Sequence, residues 1–450
     1  MALSGLDIYR LLPKTNCKKC GSPTCLAFAM KLAMKKASLD QCPDISEEAK
    51  KALDQASRPP IATIAIGTGD DKVETGGETV LFRHEKTFYH QTAIAISVDD
   101  TLSDSDLTGK VKSIEEMSFE RVGQHIVIDM IALFNTSNSA EKFVNALDKV
   151  ISNSKKAIIL ISENPKAIEA ALKKYPDKRP LIYAATSDNL REMCELSKTH
   201  KAPLTLKANG LEELDKLSME AASLGVGELI LDPCPGTLNQ ALNDFTQIRR
   251  LSLKKNYRAF GYPVIAFVKD KDKYQIVRQA CTFIAKYASL IVVDSLEREV
   301  LLPIITLRQN IYTDPQKPVT VEPKLYQFGS VDENSPFMVT TNFSLTFYTV
   351  APEIEASKIP AYLLVTDSEG MSVLTAWAAE KFTPEIIYET MKKFDVEKAV
   401  SHKKMIIPGY VSVLSGKLED VSGWKVMVGP KEASGLPKYL KEVSTNVAAV

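Results

Sequence analysis

Short apolar runs alternate with amphipathic stretches through the middle of the chain. The runs are AIAISV from Ala93, HIVIDM from His125, AIILIS from Ala157, LIYAAT from Leu181, PLTLKA from Pro203, ELILD from Glu228, PVIAFV from Pro263 and LIVVD from Leu290. Each is four to six residues long and rich in β-branched residues, the pattern of a strand buried on both faces. Between them lie helical patterns such as SAEKFVNALDKVIS, PKAIEAALKKY, LEELDKLSMEAASLG and KYQIVRQACTFIAKYA. Eight strand–helix units in one block predict a (β/α)8 TIM barrel. IATIAIG from Ile61 and ETVLFR from Glu78, flanking Gly76-Gly77, predict a hairpin that caps its floor.

Before this block the chain is Lys-rich and ends at Ser57-Arg58-Pro59-Pro60, where consecutive prolines stop a helix. After it, YTDPQKPVTVEP from Tyr312 reads as a proline-spaced linker. Beyond the linker, AYLLVTD from Ala361, KMIIPG from Lys404 and WKVMVGP from Trp424 are predicted strands, each followed by a helical pattern. The threonines of VTTNFSLTFYTV suit a β-hairpin. These elements predict a small, doubly wound α/β domain. The expected organisation is therefore multidomain α/β: residues 1–57, a barrel with its hairpin over 58–315, and an α/β domain over 316–450.

Composition narrows the class only a little. The 450 residues are 45% hydrophobic and 25% charged, and 56 Lys plus Arg balance 56 Asp plus Glu. That balance gives no polyanion-binding surface overall and argues against a nucleic-acid partner. No apolar run approaches the roughly 18 residues of a membrane span, and the opening residues lack a signal-peptide pattern. A cytoplasmic protein is expected.

Four of the seven cysteines fall within the first 42 residues, at Cys17, Cys20, Cys25 and Cys42. Their spacing is Cys-x2-Cys-x4-Cys-x16-Cys, in NCKKCGSPTCLAFAMKLAMKKASLDQCPD. Gly21 and Pro23 permit a turn before Cys25, which opens a helix, and the chain returns to deliver Cys42. Thiolate-only ligation suits iron–sulfur clusters and zinc. Structural zinc sites usually come as two tight pairs, whereas only the first pair is tight here, a spacing more typical of a cluster. Cys194 and Cys281 fall inside helical patterns and read as core residues. Cys234, in DPCPG, reads as a free thiol with no histidine nearby to activate it.

The opening GLDIYRLLPKTNCKKCGSPTCLAFAMKLA resembles the N-terminal cluster domain of the corrinoid iron–sulfur protein large subunit of the reductive acetyl-CoA pathway, and the likeness runs along essentially the whole chain. The resemblance implies a 4Fe-4S cluster on Cys17, Cys20, Cys25 and Cys42, and a corrinoid on the C-terminal domain. It places Thr340, Thr346, the Gly370, Met371, Ser372 and Val373 turn, and Ala433 at the corrinoid. Leu374 and Thr375 are expected near its lower cobalt face. None of the five histidines follows the Asp-x-His-x-x-Gly pattern that ligates cobalt, which agrees with a family whose corrinoid is base-off and has no protein ligand.

The activity so implied is that of a methyl carrier. Co(I) accepts a methyl group from methyl-tetrahydropterin on a separate methyltransferase and delivers it to acetyl-CoA synthase. The cluster reductively reactivates Co(II). Implied partners are a small TIM-barrel subunit in a heterodimer, the methyl-tetrahydropterin:corrinoid methyltransferase, acetyl-CoA synthase/CO dehydrogenase and a low-potential electron donor. The Lys-rich KLAMKKASLD stretch reads as a solvated helix face where an acidic donor could dock.

Polar residues are expected past the barrel strands at Asp99, Asp129, Glu163, Asn164, Asp188, Asn209, Asp232, Lys269 and Asp294. Such positions cap the following helices, and they also keep an alternative open: that the barrel is itself a pterin-dependent methyltransferase with fused redox and cofactor domains. A zinc-stapled assembly subunit is a third reading. No catalytic residue is assigned.

Overall fold

The computed structural model describes residues 5–33, 37, 39–46, 59–314 and 316–447. The chain divides into two compact units, one of residues 1–118 and 127–312, the other of residues 119–126 and 313–450. The expected boundary at residue 57, and Pro315, lie outside the described residues.

In the first unit, helices α1 (Gly5–Leu11) and α2 (Cys25–Ala33) flank the loop of Cys17 and Cys20; Cys25 opens α2 and Cys42 follows it. The hairpin strands β1 (Thr63–Ile66) and β2 (Val73–Gly76) follow, then β3 (Ala93–Asp99) and α3 (Asp104–Glu116). A short pair, β4 (Ser118–Arg121) and β5 (Gln124–Val127), interrupts the alternation. It resumes with β6 (Met130–Phe134), α4 (Ala140–Asn153), β7 (Ala157–Ile161), α5 (Pro165–Lys174), β8 (Leu181–Ala185) and α6 (Leu190–His200). Then come β9 (Leu204–Lys207), α7 (Leu211–Ser223), β10 (Leu229–Asp232), α8 (Leu238–Lys255), β11 (Ile265–Phe267), α9 (Lys273–Ala285), β12 (Leu290–Val293) and α10 (Arg298–Tyr312).

The eight strands β3 and β6–β12 form one parallel sheet in the order β10-β9-β8-β7-β6-β3-β12-β11. A parallel bridge from Leu231 to Val264 closes it between β10 and β11, so the predicted barrel is present. Its lower lumen is packed by Ala93, Ala95, Met130, Ala132, Ile159 and Leu181, and Ile64 and Ile66 of the β1–β2 hairpin plug it from below.

Three details differ from the expectation. The hairpin partner of β1 is Val73–Gly76, not the ETVLFR run. Glu78 instead turns inward to a buried ion pair with Arg249 at 3.1 Å, and Arg249 also donates to the Val80 carbonyl. The HIVIDM run is divided. Val122 and Gly123 both adopt left-handed backbone, which suits a tight hairpin turn, so Gln124–Val127 pairs back on β4 and the barrel strand starts at Met130. Asp129 therefore stands at the amino end of β6, not at the mouth, where its carboxylate accepts the Ile94 N–H at 2.8 Å and pairs with the buried Arg308.

The second unit holds a five-stranded sheet in the order β13-β15-β14-β16-β17, with β13 (Leu325–Phe328) antiparallel at one edge. The other strands, β14 (Phe337–Thr341), β15 (Ala361–Thr366), β16 (Lys404–Ile407) and β17 (Lys425–Val428), are parallel. Helices α11 (Ser344–Ser357), α12 (Val373–Ala378), α13 (Pro384–Lys393), α14 (Val396–Ala399), α15 (Ser415–Ser422) and α16 (Leu436–Val447) complete it. Two apolar cores result. One is built on Phe337, Tyr362, Phe382, Met405 and Trp424, the other on Phe347, Ile354, Leu363 and Leu440. VTTNFSLTFYTV is thus the end of a strand and the start of a helix, not a hairpin. The β4–β5 hairpin belongs to this unit, where a Cβ on Gly123 would meet the Tyr348 hydroxyl.

Candidate functional site

The cysteine segment is built by short-range constraints. Lys14, Asn16, Lys18 and Gly21 all take left-handed backbone, so the chain winds tightly around the first two cysteines. Thr24 caps α2 by accepting the Ala27 N–H at 3.0 Å. Cys25, at the start of α2, donates its N–H to Asn16 Oδ1 at 2.8 Å, and Asn16 returns its own N–H to the Cys25 Sγ at 3.3 Å. Cys42 is brought back by a single turn, its N–H donating to the Leu39 carbonyl. Cys25 and Cys42 are buried in a small core with Ile8, Leu12, Phe28 and Ala29, while Cys20 is half-buried and Cys17 exposed.

The four sulfurs share one neighbourhood. Burial pushes the Cys42 thiol up, and the charges of Cys20, Cys17 and Cys25 act in the same direction, opposed by a hydrogen bond from the Asp44 backbone. A hydrogen bond from Lys19 at 3.0 Å holds Asp44 below the usual carboxylate range. Among the described residues no three His, Cys, Asp or Glu side chains are grouped to hold a single metal ion.

The second site lies at the carboxyl ends of β14, β15 and β16, where an open α/β sheet places its ligands. A cavity of about 390 Å³ opens there, walled mainly by Val339, Phe343, Val350, Leu363, Ile407 and Leu436. Thr340, Thr346, Ser372, Val373, Leu374 and Ala433 line it. Gly370, Met371 and Thr375 do not. Gly370 faces Pro318 and Thr320, Met371 packs against the core around Phe337, and the Thr375 hydroxyl meets that of Ser372 at 3.0 Å.

Asn342 fixes the loops that shape this mouth. Its Oδ1 accepts the Ser368 and Gly370 N–H groups, each at 3.0 Å, and its Nδ2 donates to Asp367 at 3.0 Å. Gly409 lets the loops after β16 and β17 meet backbone to backbone, since a Cβ there would lie 2.5 Å from the Gly429 carbonyl oxygen. The linker is not free along its length. Val321 donates its N–H to the Asn342 carbonyl, and Ser344 donates its own to that of Val319.

One polar atom in the cavity wall stands out. Thr340 is 2% exposed, and its hydroxyl has no hydrogen-bond partner. Such a group costs about 1–3 kcal/mol when nothing satisfies it. Tyr410, which sequence reasoning missed, lines the same cavity and donates to Glu432 at 2.5 Å. Its exposure, with that of Leu345 and Leu374, leaves an apolar rim of the kind that marks binding surfaces.

The barrel mouth is more closed. Asp99 accepts from Thr101 and Thr136, Glu163 pairs with Lys207 at 2.6 Å, Asp294 takes hydrogen bonds from Ser97 and Lys110, and Asn164 caps α5. Asn209 donates its N–H to Glu213, Lys269 donates its own to Gln279, and Asp188 sits beside Ser187. Asp232 is buried and accepts from Tyr183 and from the Cys234 N–H, each at 2.8 Å. These side chains mostly satisfy one another, and the cavity beside Asp232, Cys234 and Lys269 is only about 90 Å³. Cys194 is buried, which pushes its thiol up to about 11. Cys281 is half-buried and is likewise pushed up by burial.

The fold and these two sites define a cysteine-rich segment, a (β/α)8 barrel and an α/β unit with an apolar cavity. A family profile described as CO dehydrogenase/acetyl-CoA synthase delta subunit matches residues 63–440, and an Fe-S cluster profile matches residues 12–43. The corrinoid/iron-sulfur protein large subunit of Moorella thermoacetica is 49% identical over 98% of this chain and 99% of its own. The acetyl-CoA decarbonylase/synthase complex gamma subunit of Methanothermobacter thermautotrophicus is 40% identical over 99% of this chain and 100% of its own. The chain belongs to the family of corrinoid/iron–sulfur protein large subunits. Among its described residues no helix is long and apolar enough to cross a membrane.

Proposed function

We propose that the chain is the methyl-carrying subunit of an acetyl-CoA synthase system. It takes a methyl group originating on methyl-tetrahydropterin and delivers it to acetyl-CoA synthase. The corrinoid belongs in the cavity at the carboxyl ends of β14–β16. The observation that carries this is the buried, unpartnered hydroxyl of Thr340 in the wall of an otherwise apolar cavity. A corrinoid has both features that wall calls for, broad apolar surface and amide side chains that hydrogen-bond.

When bound, the corrinoid supplies a nucleophilic cobalt for methyl transfer, and a 4Fe-4S cluster supplies the low-potential electron that restores it. The chain's own residues hold, orient and shield. Ser372, Val373 and Leu374 on one side, and Ala433 on the other, face the cavity from opposite loops. Asn342 keeps the first of those loops in place. His402 sits at the amino end of β16, where its Nε2 meets the Ser335 carbonyl at 2.9 Å. The cavity is at the other end of that strand.

Cys17, Cys20, Cys25 and Cys42 are the proposed cluster ligands. The charges of Cys20, Cys17 and Cys25 all act on Cys42, and the Cys-x2-Cys-x4-Cys-x16-Cys spacing lacks the second tight pair of a structural zinc site. Working segments of residues 1–57, 58–315 and 316–450 follow from this reading. So do a small barrel subunit as partner, the separate methyltransferase, acetyl-CoA synthase/CO dehydrogenase, and a cytoplasmic setting.

Anaerobic reconstitution tests the reading. With iron, sulfide, a cobamide and the small subunit supplied, the chain is expected to retain about four irons and about one cobalt. Iron retention without cobalt, or zinc in place of iron, contradicts it.

A further inference from the structure

The cysteine segment carries a surface that its cluster-holding role does not use. Leu26 and Met30 lie four residues apart on α2, so they share one face, and both are exposed, at 38% and 42%. Gly5 of α1 packs against Met30, its missing Cβ only 2.4 Å from the Met30 sulfur. That contact sets the neighbouring Leu6, 58% exposed, beside the same face. Meanwhile Phe28, on the opposite side of α2, is buried with Cys25 and Cys42. The helix thus presents an apolar outer face as well as an apolar inner one.

The helices and loop that carry that face hold an excess of positive charge. Residues 5–33 contain Arg10, Lys14, Lys18, Lys19 and Lys31 against the single acid Asp7, in a chain whose formal net charge is zero. Lys14, Lys18 and Lys19 lie in the exposed loop around Cys17. Cys17 is the one exposed thiol of the four. Asp44, which lies against Cys17, is engaged by Lys19 at 3.0 Å, and Lys14, over the Tyr9 ring, and Lys18 add positive charge in the same exposed loop. Electron transfer falls off steeply with distance, so the ligand nearest solvent is the natural point of entry.

We infer that this face, Leu6, Leu26 and Met30 with Lys14 and Lys18 beside Cys17, is the docking surface for an acidic one-electron carrier protein. The chemistry fits a transient redox encounter, which buries little area and is steered by opposite charge. One electron passes from the reduced carrier to the oxidised cluster, with no bond made or broken. The inference rests on the cluster reading above.

The test is anaerobic stopped-flow reduction of the full chain, in complex with its small subunit, followed by bleaching of the cluster's visible absorbance. The donors are a reduced acidic ferredoxin and the reduced methyl viologen radical cation. For the unmodified chain, the ferredoxin rate falls steeply with added salt. The double variant Lys14→Glu, Lys18→Glu slows ferredoxin reduction by about tenfold or more at low salt and flattens the salt dependence. Its reduction by methyl viologen is not slowed. Leu26→Ser slows ferredoxin alone and keeps the salt dependence.

Two kinetic results overturn the inference. One is an unchanged ferredoxin rate in the double variant. The other is equal slowing with both donors, which assigns the lysines to the cluster's potential. A photo-crosslinker at Leu26 that captures the small subunit also overturns it. A chain with no bleachable absorbance sinks the cluster reading itself, a distinct outcome visible before any kinetics.

Discussion

Asn16 and Cys25 exchange hydrogen bonds: the Cys25 N–H reaches Asn16 Oδ1 at 2.8 Å, and the Asn16 N–H reaches the Cys25 sulfur at 3.3 Å. The pair joins the loop bearing Cys17 and Cys20 to the helix bearing Cys25. Asn16 also has left-handed backbone, with φ of 50°. Asn16→Gly removes the side chain without adding backbone strain. We predict cluster loss to an iron chelator several times faster than in the unmodified chain, read as decay of visible absorbance. Unchanged decay would make the exchange incidental.

Thr340 gives a prediction with opposite signs. Thr340→Val keeps the shape and removes the unpartnered hydroxyl. The ligand-free chain should be as stable as before or up to about 2 kcal/mol more stable. Corrinoid affinity should fall by about tenfold, the worth of one hydrogen bond. Denaturant midpoints and a corrinoid titration read the two effects separately. Unaltered affinity would turn the hydroxyl away from the ligand.

Gly370 separates backbone strain from crowding. Its φ is +74°, and a Cβ would lie 2.8 Å from both Pro318 and Thr320. Gly423 has φ of +69° with nothing within 4 Å. Gly423→Ala should cost about 1–2 kcal/mol from backbone alone, and Gly370→Ala about 2–4 kcal/mol with the clash added. Trp377 and Trp424 are the chain's two tryptophans, and both lie in the C-terminal unit, so fluorescence-monitored unfolding reports it directly. Equal losses would mean the linker residues give way freely.

Asp232 sets a pH dependence in the barrel. Burial raises its carboxyl above the ordinary range, against the pull of Tyr183, the Cys234 N–H, Lys269 and Lys207. The folded state therefore favours the protonated form. Its contribution is fully present below the unfolded value of about 3.9 and is lost as pH rises through the folded value. Relative to Asp232→Asn, the unmodified chain should lose stability as pH rises above about 4, measured by circular dichroism in urea. A constant difference across that range would contradict the burial effect.

The barrel strands were legible because strands buried on both faces are written as unbroken apolar runs. The same property hid the start of β6. From Ile126 to Phe134 the run is broken only by Asp129, so apolarity could not say where hairpin ends and barrel begins. The turn at Val122-Gly123 held that signal. Gly370 was expected in a turn at the corrinoid, whereas in the structure its open side faces Pro318 and Thr320. The cysteines were plain from their spacing. Asn16 was not, because its role depends on a backbone conformation that spacing does not encode.

The most direct test of the methyl-carrier reading follows an isotopically labelled methyl group. The reconstituted chain with its small subunit is reduced, mixed with labelled methyl-tetrahydropterin and the separate methyltransferase, and then isolated by gel filtration. The label should leave the pterin and elute with the chain, only when the methyltransferase is present, and should then be released to acetyl-CoA synthase. Label that stays on the pterin, although corrinoid is bound and the cluster reduced, contradicts the account. So does transfer that needs no methyltransferase, which would give the pterin chemistry to the barrel.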